Sequence, residues 1–185
     1  MDWPGSRRRV QQLVDAYYEP LYRYAFRLAG GPADAEDLTQ EAFCKAQLQF
    51  HQLRDPGRAK AWLFSILRNA YLHRVRSDQT RRQVPLDAVG DLAAPDPEPL
   101  PEVEPAELQK ALGELPEAFR TPVILFYFEE FSYRDIAEQM GVPLGTVMSR
   151  LARAKAHLRA RLRGGDAAHG VPAVAAARKG ATNGL

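Results

Sequence analysis

The chain has 185 residues, with 25 Lys and Arg against 23 Asp and Glu and a formal net charge of +2. Its 45% hydrophobic content suffices for one ordinary core or two small ones, and the near-even charge excludes a bulk polycation. A single cysteine, Cys44, rules out an intrachain disulfide and fits a reducing compartment. Set among Ala42, Phe43 and Ala46, it reads as a small core residue rather than a reactive thiol. The opening MDWPGSRRRV carries no apolar stretch behind its arginines, unlike a secretory signal. The longest aliphatic-aromatic run, Val123 to Phe128, is too short to span a membrane. A soluble cytoplasmic protein is expected.

Val10, Leu13, Val14, Tyr17, Leu21, Tyr24, Ala25 and Leu28 recur at helical spacing, with Pro20 expected to kink or break the helix. Gly30, Gly31 and Pro32 separate it from a second helix over 33–50. That helix has Ala35, Leu38, Ala42, Phe43 and Ala46 on its apolar side and Asp34, Asp37, Gln40 and Glu41 on its outer side. Asp55-Pro56-Gly57 is a turn signal. A third helix is expected from Ala59 to about Val75. Trp62, Leu63, Ile66, Leu67, Ala70 and Tyr71 fall on its buried face, and Lys60, Arg68, Asn69, His73 and Arg76 outside it.

The composition then changes. Six prolines and six acids fall between residues 85 and 105, a semi-extended, self-repelling linker able to span up to roughly 65 Å in polyproline geometry. Beyond it, Ala106 to Leu115 forms a short amphipathic helix stopped at Pro116. Periodicity alone leaves VILFYF open between buried strand and buried helix, and its helical neighbours favour helix. From Ser132 to Arg163 the chain reads SYRDIAEQMGVPLGTVMSRLARAKAHLRARLR. Ser132 and Asp135 form a near capping box, Gly141 stops the first helix, and Pro143 precedes the second. Val147, Leu151, Ala154, Leu158 and Leu162 make one apolar stripe, and no acid occurs between Glu138 and Asp166. This is the pattern of a helix-turn-helix that lays its second helix in the DNA major groove. The bland reading of the same residues is a solvated amphipathic helix ending a bundle. The tail from residue 164 is rich in Gly and Ala, is expected to be disordered and is given no role.

The expected fold class is therefore all-α. Two small helical domains, 8–82 and 105–163, are joined by a Pro-rich acidic linker at 83–104, with a disordered tail at 164–185. The four histidines show no ligand spacing and one cysteine cannot complete a zinc site. Neither a nucleophile elbow nor a phosphate-cradling glycine loop occurs. No enzyme, metal or cofactor is expected.

The phrases DAEDLTQEAF (34–43), WLFSILRN (62–69) and LPEAFRTPVILFYFEEFSYRDIAEQMGVPLGTVMSRLARAK (115–155), in this order, resemble those of an extracytoplasmic-function (ECF) sigma factor of the sigma-70 superfamily. The resemblance covers about residues 8–82 and 105–163. It implies binding to core RNA polymerase, at the beta-prime clamp and the beta flap, and promoter-specific initiation through minus-ten and minus-thirty-five elements. It implies that Asp34, Asp37, Gln40 and Glu41 dock on the clamp. The minus-ten DNA would meet Arg58, Lys60, Trp62, Arg68, Asn69, His73 and Arg76, and the minus-thirty-five duplex Thr146, Met148, Ser149, Arg150, Arg153 and Lys155. The residue chemistry is compatible with each role. Arginines hold phosphates, Asn69 can present donors and an acceptor to a base edge, and Arg reads guanine. Trp62 is a stacking candidate, although its phase on the apolar stripe favours the core.

Two positions depart from the family. His73 stands where an acid is common. Met148 stands where Lys or Arg is common, so altered element preference is expected there. The VMSRL phrase is similar to that of stress-responsive relatives. An anti-sigma factor is implied as a further partner, and promoter DNA and polymerase as the principal ones. The alternative is a helix-turn-helix transcriptional regulator acting without polymerase core binding, which would leave the arginines of the first module idle.

Overall fold

The computed structural model describes residues 6–78 and 103–166, and their regular structure is entirely helical. Seven α-helices follow in order: α1 (Ser6–Ala29), α2 (Pro32–Leu48), α3 (Ala59–Asp78), α4 (Pro105–Glu114), α5 (Glu117–Tyr127), α6 (Tyr133–Met140) and α7 (Leu144–Asp166). Two 3-10 turns, Phe50–Gln52 and Pro56–Arg58, lie between α2 and α3. Residues 83–102 of the expected linker and 167–185 of the expected tail lie outside the described residues.

The first module is α1, α2 and α3 packed face to face. The expected break at Pro20 does not occur, and α1 runs through it. Leu21, Tyr24, Ala25 and Leu28, immediately after the proline, are all buried, and packing of that face outweighs one missing backbone donor. Gly30, at φ +85°, ends α1, and its N–H donates to Phe26 O at 2.8 Å. Pro32 then opens α2, where a missing N–H is harmless. Ala35, Ala42 and Ala46 are fully buried, small side chains that let α2 lie close to its neighbours. The hydroxyl of buried Thr39 donates to Ala35 O at 2.7 Å, satisfying the one polar group on that face. Cys44, expected in the core, is exposed. The α2 stripe passes through Ala42 and Ala46, and Cys44 falls between them on the opposite side of the helix.

The second module is α4 to α7. The VILFYF run is helical, as its neighbours favoured, with Pro122 buried in the first half of α5. Its C-terminal turn closes through Glu130 at φ +59°, with Phe131 N–H returning to Leu125 O at 2.9 Å. Leu112, Leu115, Ile124, Leu125, Ile136, Val147, Leu151 and Ala154 fill the core between the four helices.

The modules do not stand apart. Helix α1 packs on α4 and α5, α3 packs on α6, and the buried apolar residues of both modules form one continuous cluster. Phe64 bridges the two, stacked on Tyr24 at 4.9 Å between ring centroids and tilted against Phe131 at 5.2 Å. Arg120 adds a polar tie, donating to Leu28 O (2.7 Å) and Tyr71 Oη (3.2 Å) on the first module, and to Gly113 O and Leu115 O (both 2.8 Å) on its own. Gln109 Nε2 donates to Phe26 O and Arg27 O, both at 3.3 Å, near the end of α1.

Candidate nucleic-acid interface

Three faces carry the residues that the sequence singles out. On α2, Asp34, Asp37 and Gln40 are exposed. Glu41 is half-buried and already engaged. One carboxylate oxygen meets Lys45 Nζ at 2.7 Å, and the other accepts from Arg74 Nη2 at 2.9 Å and Nε at 3.2 Å. The hydrogen bond from Lys45 holds its carboxyl below the ordinary range, with a further contribution from Arg74. Glu41 therefore ties α2 to α3, and the acids facing solvent on this surface are Asp34 and Asp37, with Glu36 beside them.

The second face runs from the 3-10 turn at Pro56–Arg58 along α3. Asp55 organises the turn by accepting from Gly57 N at 2.8 Å. Asn69, His73 and Arg76 are exposed, and Trp62 is half-buried, its carbonyl accepting from Ser65 Oγ at 2.7 Å. The second module takes the other three. Arg68, expected on the outside of α3, is only 9% exposed. Its Nη2 meets Glu117 Oε1 at 3.1 Å and its Nη1 donates to Gln139 O at 3.2 Å. Arg58 Nη2 lies 2.6 Å from Glu138 Oε2, and Lys60 Nζ donates to Glu129 O at 2.6 Å. The reason for the correction at Arg68 is geometric, since α3 has two covered sides, one against α1 and α2 and the other under α5 and α6. Between the turn and α6 a cleft of about 460 Å³ remains, with Arg54 and Trp62 on one wall and Asp135 and Glu138 on the other.

The third face is the start of α7. Ser132 accepts from Asp135 N at 3.2 Å while Asp135 accepts from Ser132 N at 3.3 Å, a complete capping box on α6. Gly141, at φ +63°, turns the chain, and Val142 N–H returns to Ala137 O at 3.1 Å. Pro143 O then accepts from Thr146 N and Val147 N at 2.9 and 3.2 Å, starting α7. The stripe Val147, Leu151, Ala154, Leu158 and Leu162 is buried throughout. That fixes the rotation of α7 and turns Met148, Ser149 and Arg153 to the exposed side, with Thr146, Arg150 and Lys155 half-buried at its edges. Met148, at 52% exposure, is an apolar side chain held out into solvent.

The sequence pattern did not reveal Glu117, Glu129, Glu138 and Arg120 as residues of the seam. The one signal for Glu129 is its place at the end of VILFYF. It is 3% exposed, and burial pushes its carboxyl up despite Arg27, whose Nη1 is 3.8 Å away. Among the described residues no group of His, Cys, Asp and Glu could hold a metal ion, and no helix is long and apolar enough to cross a membrane.

Fold and faces together define a two-module helical DNA-binding protein whose second module is a helix-turn-helix. Residues 13–82 match the Sigma-70 region 2 family and residues 106–158 the Sigma-70 region 4 family. The chain is 34% identical over 161 residues to the ECF RNA polymerase sigma factor SigM of Mycobacterium tuberculosis, covering 86% of this chain and 80% of the relative. It is 38% identical over 156 residues to SigE of Mycolicibacterium smegmatis, covering 80% of this chain but 59% of that protein's length. Among solved structures it is similar to the sigma factor RpoE in complex with the anti-sigma factor NepR from Bartonella quintana, with a TM-score of 0.68 and 30% identity over 83% of this chain and 96% of that one. CnrH in complex with the cytosolic domain of CnrY shares the fold, at a TM-score of 0.62 and 23% identity over 85% of this chain and 90% of that one. The chain belongs to the ECF RNA polymerase sigma factors.

Proposed function

We propose that this chain is a promoter-specificity subunit whose three faces divide the work. Asp34, Asp37 and Gln40 on α2 dock on a basic surface of the polymerase clamp, while Glu41 holds that helix in place. The surface of α3 with Asn69, His73, Arg76 and, when released, Arg58, Lys60 and Arg68 grips the separated strands of the minus-ten element. Trp62 buttresses it. The exposed side of α7, with Met148, Ser149 and Arg153 flanked by Thr146, Arg150 and Lys155, reads the minus-thirty-five duplex.

The observation that carries this reading is the rotation of α7. Five buried stripe residues hold it so that the residues at 148, 149 and 153 stand out from the second module behind a tightly capped turn. A helix held so can enter a major groove with its N-terminal half leading. Met148 offers a methyl contact where a donor would read guanine, and so favours an apolar base edge such as the thymine methyl. The chain makes and breaks no covalent bond, and the polymerase supplies the chemistry. It works in the cytoplasm, where the polymerase is. An anti-sigma factor is a further partner, a reading supported by the RpoE–NepR complex among the similar structures.

The test is gel filtration of the purified chain with core polymerase, followed by run-off transcription on genomic template. Co-elution and discrete start sites are expected. Binding to palindromic duplex as a dimer, without polymerase capture, would refute the reading in favour of a regulator that acts alone.

A further inference from the structure

Helix α7 carries two apolar rows, and its packing uses only one. The stripe from Val147 to Leu162 is buried. Beside it, Leu144, Met148 and Ala152 follow at steps of four, the spacing that lines side chains into one ridge on a helix. All three are exposed, Leu144 at 48% and Met148 at 52%. About half the surface of each larger side chain faces water, so the fold gains little from them. A side chain at Gly145, next to Leu144 and one turn before Met148, would meet no atom within 4 Å, so the approach to the ridge is open. The hydroxyl nearest to it is committed elsewhere. Ser149 Oγ donates to Thr146 O at 3.0 Å and has no hydrogen left for an acceptor on a base. Guanine and adenine present acceptors in the major groove that an apolar ridge cannot meet, whereas thymine presents an apolar group, its C5 methyl. At 1.5 Å per residue, successive ridge residues stand about 6 Å apart along the helix, and base pairs rise about 3.4 Å, so ridge neighbours fall roughly two base steps apart.

We propose that Leu144, Met148 and Ala152 are specificity-determining residues that read the C5 methyl groups of thymines in the minus-thirty-five duplex, at positions roughly two base steps apart. Leu144 and Met148 reach into the groove and make the larger contacts, and Ala152 admits a methyl at close approach. The ridge accepts 5-methylcytosine as well, which carries a methyl at the same place in the groove. The inference deepens the reading of α7 as the duplex-reading helix and rests on it.

The test is a gel shift of holoenzyme, formed from the full chain and core polymerase, on promoter duplexes mapped by run-off transcription. Thymines of the minus-thirty-five segment are replaced one at a time by deoxyuridine, which removes the C5 methyl and leaves the hydrogen-bonding edge unchanged. Burying one methyl changes affinity about fourfold, so uridine at each contacted position should weaken binding by about that factor. At the same positions 5-methylcytosine should bind about fourfold tighter than cytosine. In Leu144→Ala combined with Met148→Ala, both differences should shrink below about twofold, because the contact can be lost only once. The substituted side chains are exposed, so the thermal midpoint should stay within a few degrees. Uridine in the spacer between the two elements should change nothing. A minus-thirty-five segment with no thymine on either strand, uridine effects absent throughout it, or effects equal in wild type and the double variant would overturn the proposal. Scrambling the whole segment separates that failure from failure of the α7 reading. If uridine is silent but scrambling abolishes the mapped starts, the methyl ridge is wrong and α7 still reads the duplex. Starts unchanged on the scrambled promoter would refute both.

Discussion

Arg120 offers a direct measure of how firmly the modules are joined. Its guanidinium makes contacts of two kinds. Those to Gly113 O and Leu115 O lie within the second module, and those to Leu28 O and Tyr71 Oη cross the seam. A hydrogen bond to a charged group contributes about 1.5–3 kcal/mol, and several from one side chain are not additive, so Arg120→Ala should cost about 2–4 kcal/mol in all. Tyr71→Phe removes only the hydroxyl that accepts from Arg120, and should cost about 0.5–1.5 kcal/mol. The informative number is the coupling. In a double-mutant cycle the Arg120→Ala effect should shrink by about 0.5–1.5 kcal/mol when Tyr71 is already Phe, because the crossing bond can be lost only once. Arg120→Lys should recover less than half of the loss, since a single ammonium cannot reach carbonyls at the end of α1 and beyond α4 together. Urea unfolding followed by circular dichroism gives all four corners of the cycle. Coupling below about 0.3 kcal/mol would mean additivity, and would refute the claim that α5 sits on α3 in solution.

Arg153→Ala should weaken binding to minus-thirty-five duplex by about 1–3 kcal/mol, measured by gel shift on promoters mapped in run-off assays. An unchanged affinity would remove Arg153 from the recognition set. Asp34→Lys with Asp37→Lys should abolish co-elution with core polymerase while leaving the thermal midpoint within a few degrees. Charge reversal at Glu41 should instead lower stability, because Lys45 and Arg74 would both lose their partner. Glu129 gives a pH dependence. Burial raises its folded pKa above the ordinary 4.5, so the native state binds the proton more tightly than the unfolded chain. Stability then falls as pH rises from about 4.5 through the raised value. In Glu129→Gln, urea unfolding across that window should lose this downward slope, and a slope equal to wild type would reject burial as its cause.

Much of the architecture was legible because helix patterning is local. The stripe on α7, the capping box at Ser132 and Asp135, and the left-handed Gly141 are all read from residues within a turn or two of one another. The errors share one physical cause, which is that a single helix has more than one covered side once it meets a neighbour from far along the chain. Arg68 lies off the apolar stripe of α3, and nothing within that helix says that α5 will bring Glu117 over it. Cys44 was placed by its neighbours in sequence, although a step of two residues along a helix turns a side chain to the other face. Pro20 was judged by its missing donor, while the buried residues that follow it decide the outcome. The acids of the seam were invisible for a related reason. Glu117, Glu129 and Glu138 lie on two helices and a loop, and only the fold brings them to one surface.

The same seam is imperfect in a way that bears on how it could open. Arg68 Nε, Glu129 Oε1 and Gln139 Oε1 are buried along it without a hydrogen-bond partner among the described residues. Each such group costs about 1–3 kcal/mol relative to its hydrated state. Against that stand the apolar contact centred on Phe64 and Phe131, the Arg120 and Gln109 ties, and the cation contacts to the three glutamates. Of these, the Arg58–Glu138 pair is exposed and contributes at most about 1 kcal/mol. Opening therefore gives water back to three unsatisfied polar atoms but exposes the apolar contact at Phe64 and Phe131, so the balance at the seam is the difference between these opposing contributions. A partner that binds the separated modules needs to supply only that difference. A seam of the same area lined by apolar side chains alone would be harder to part, and the orphaned atoms at Arg68, Glu129 and Gln139 lower the cost of opening this one.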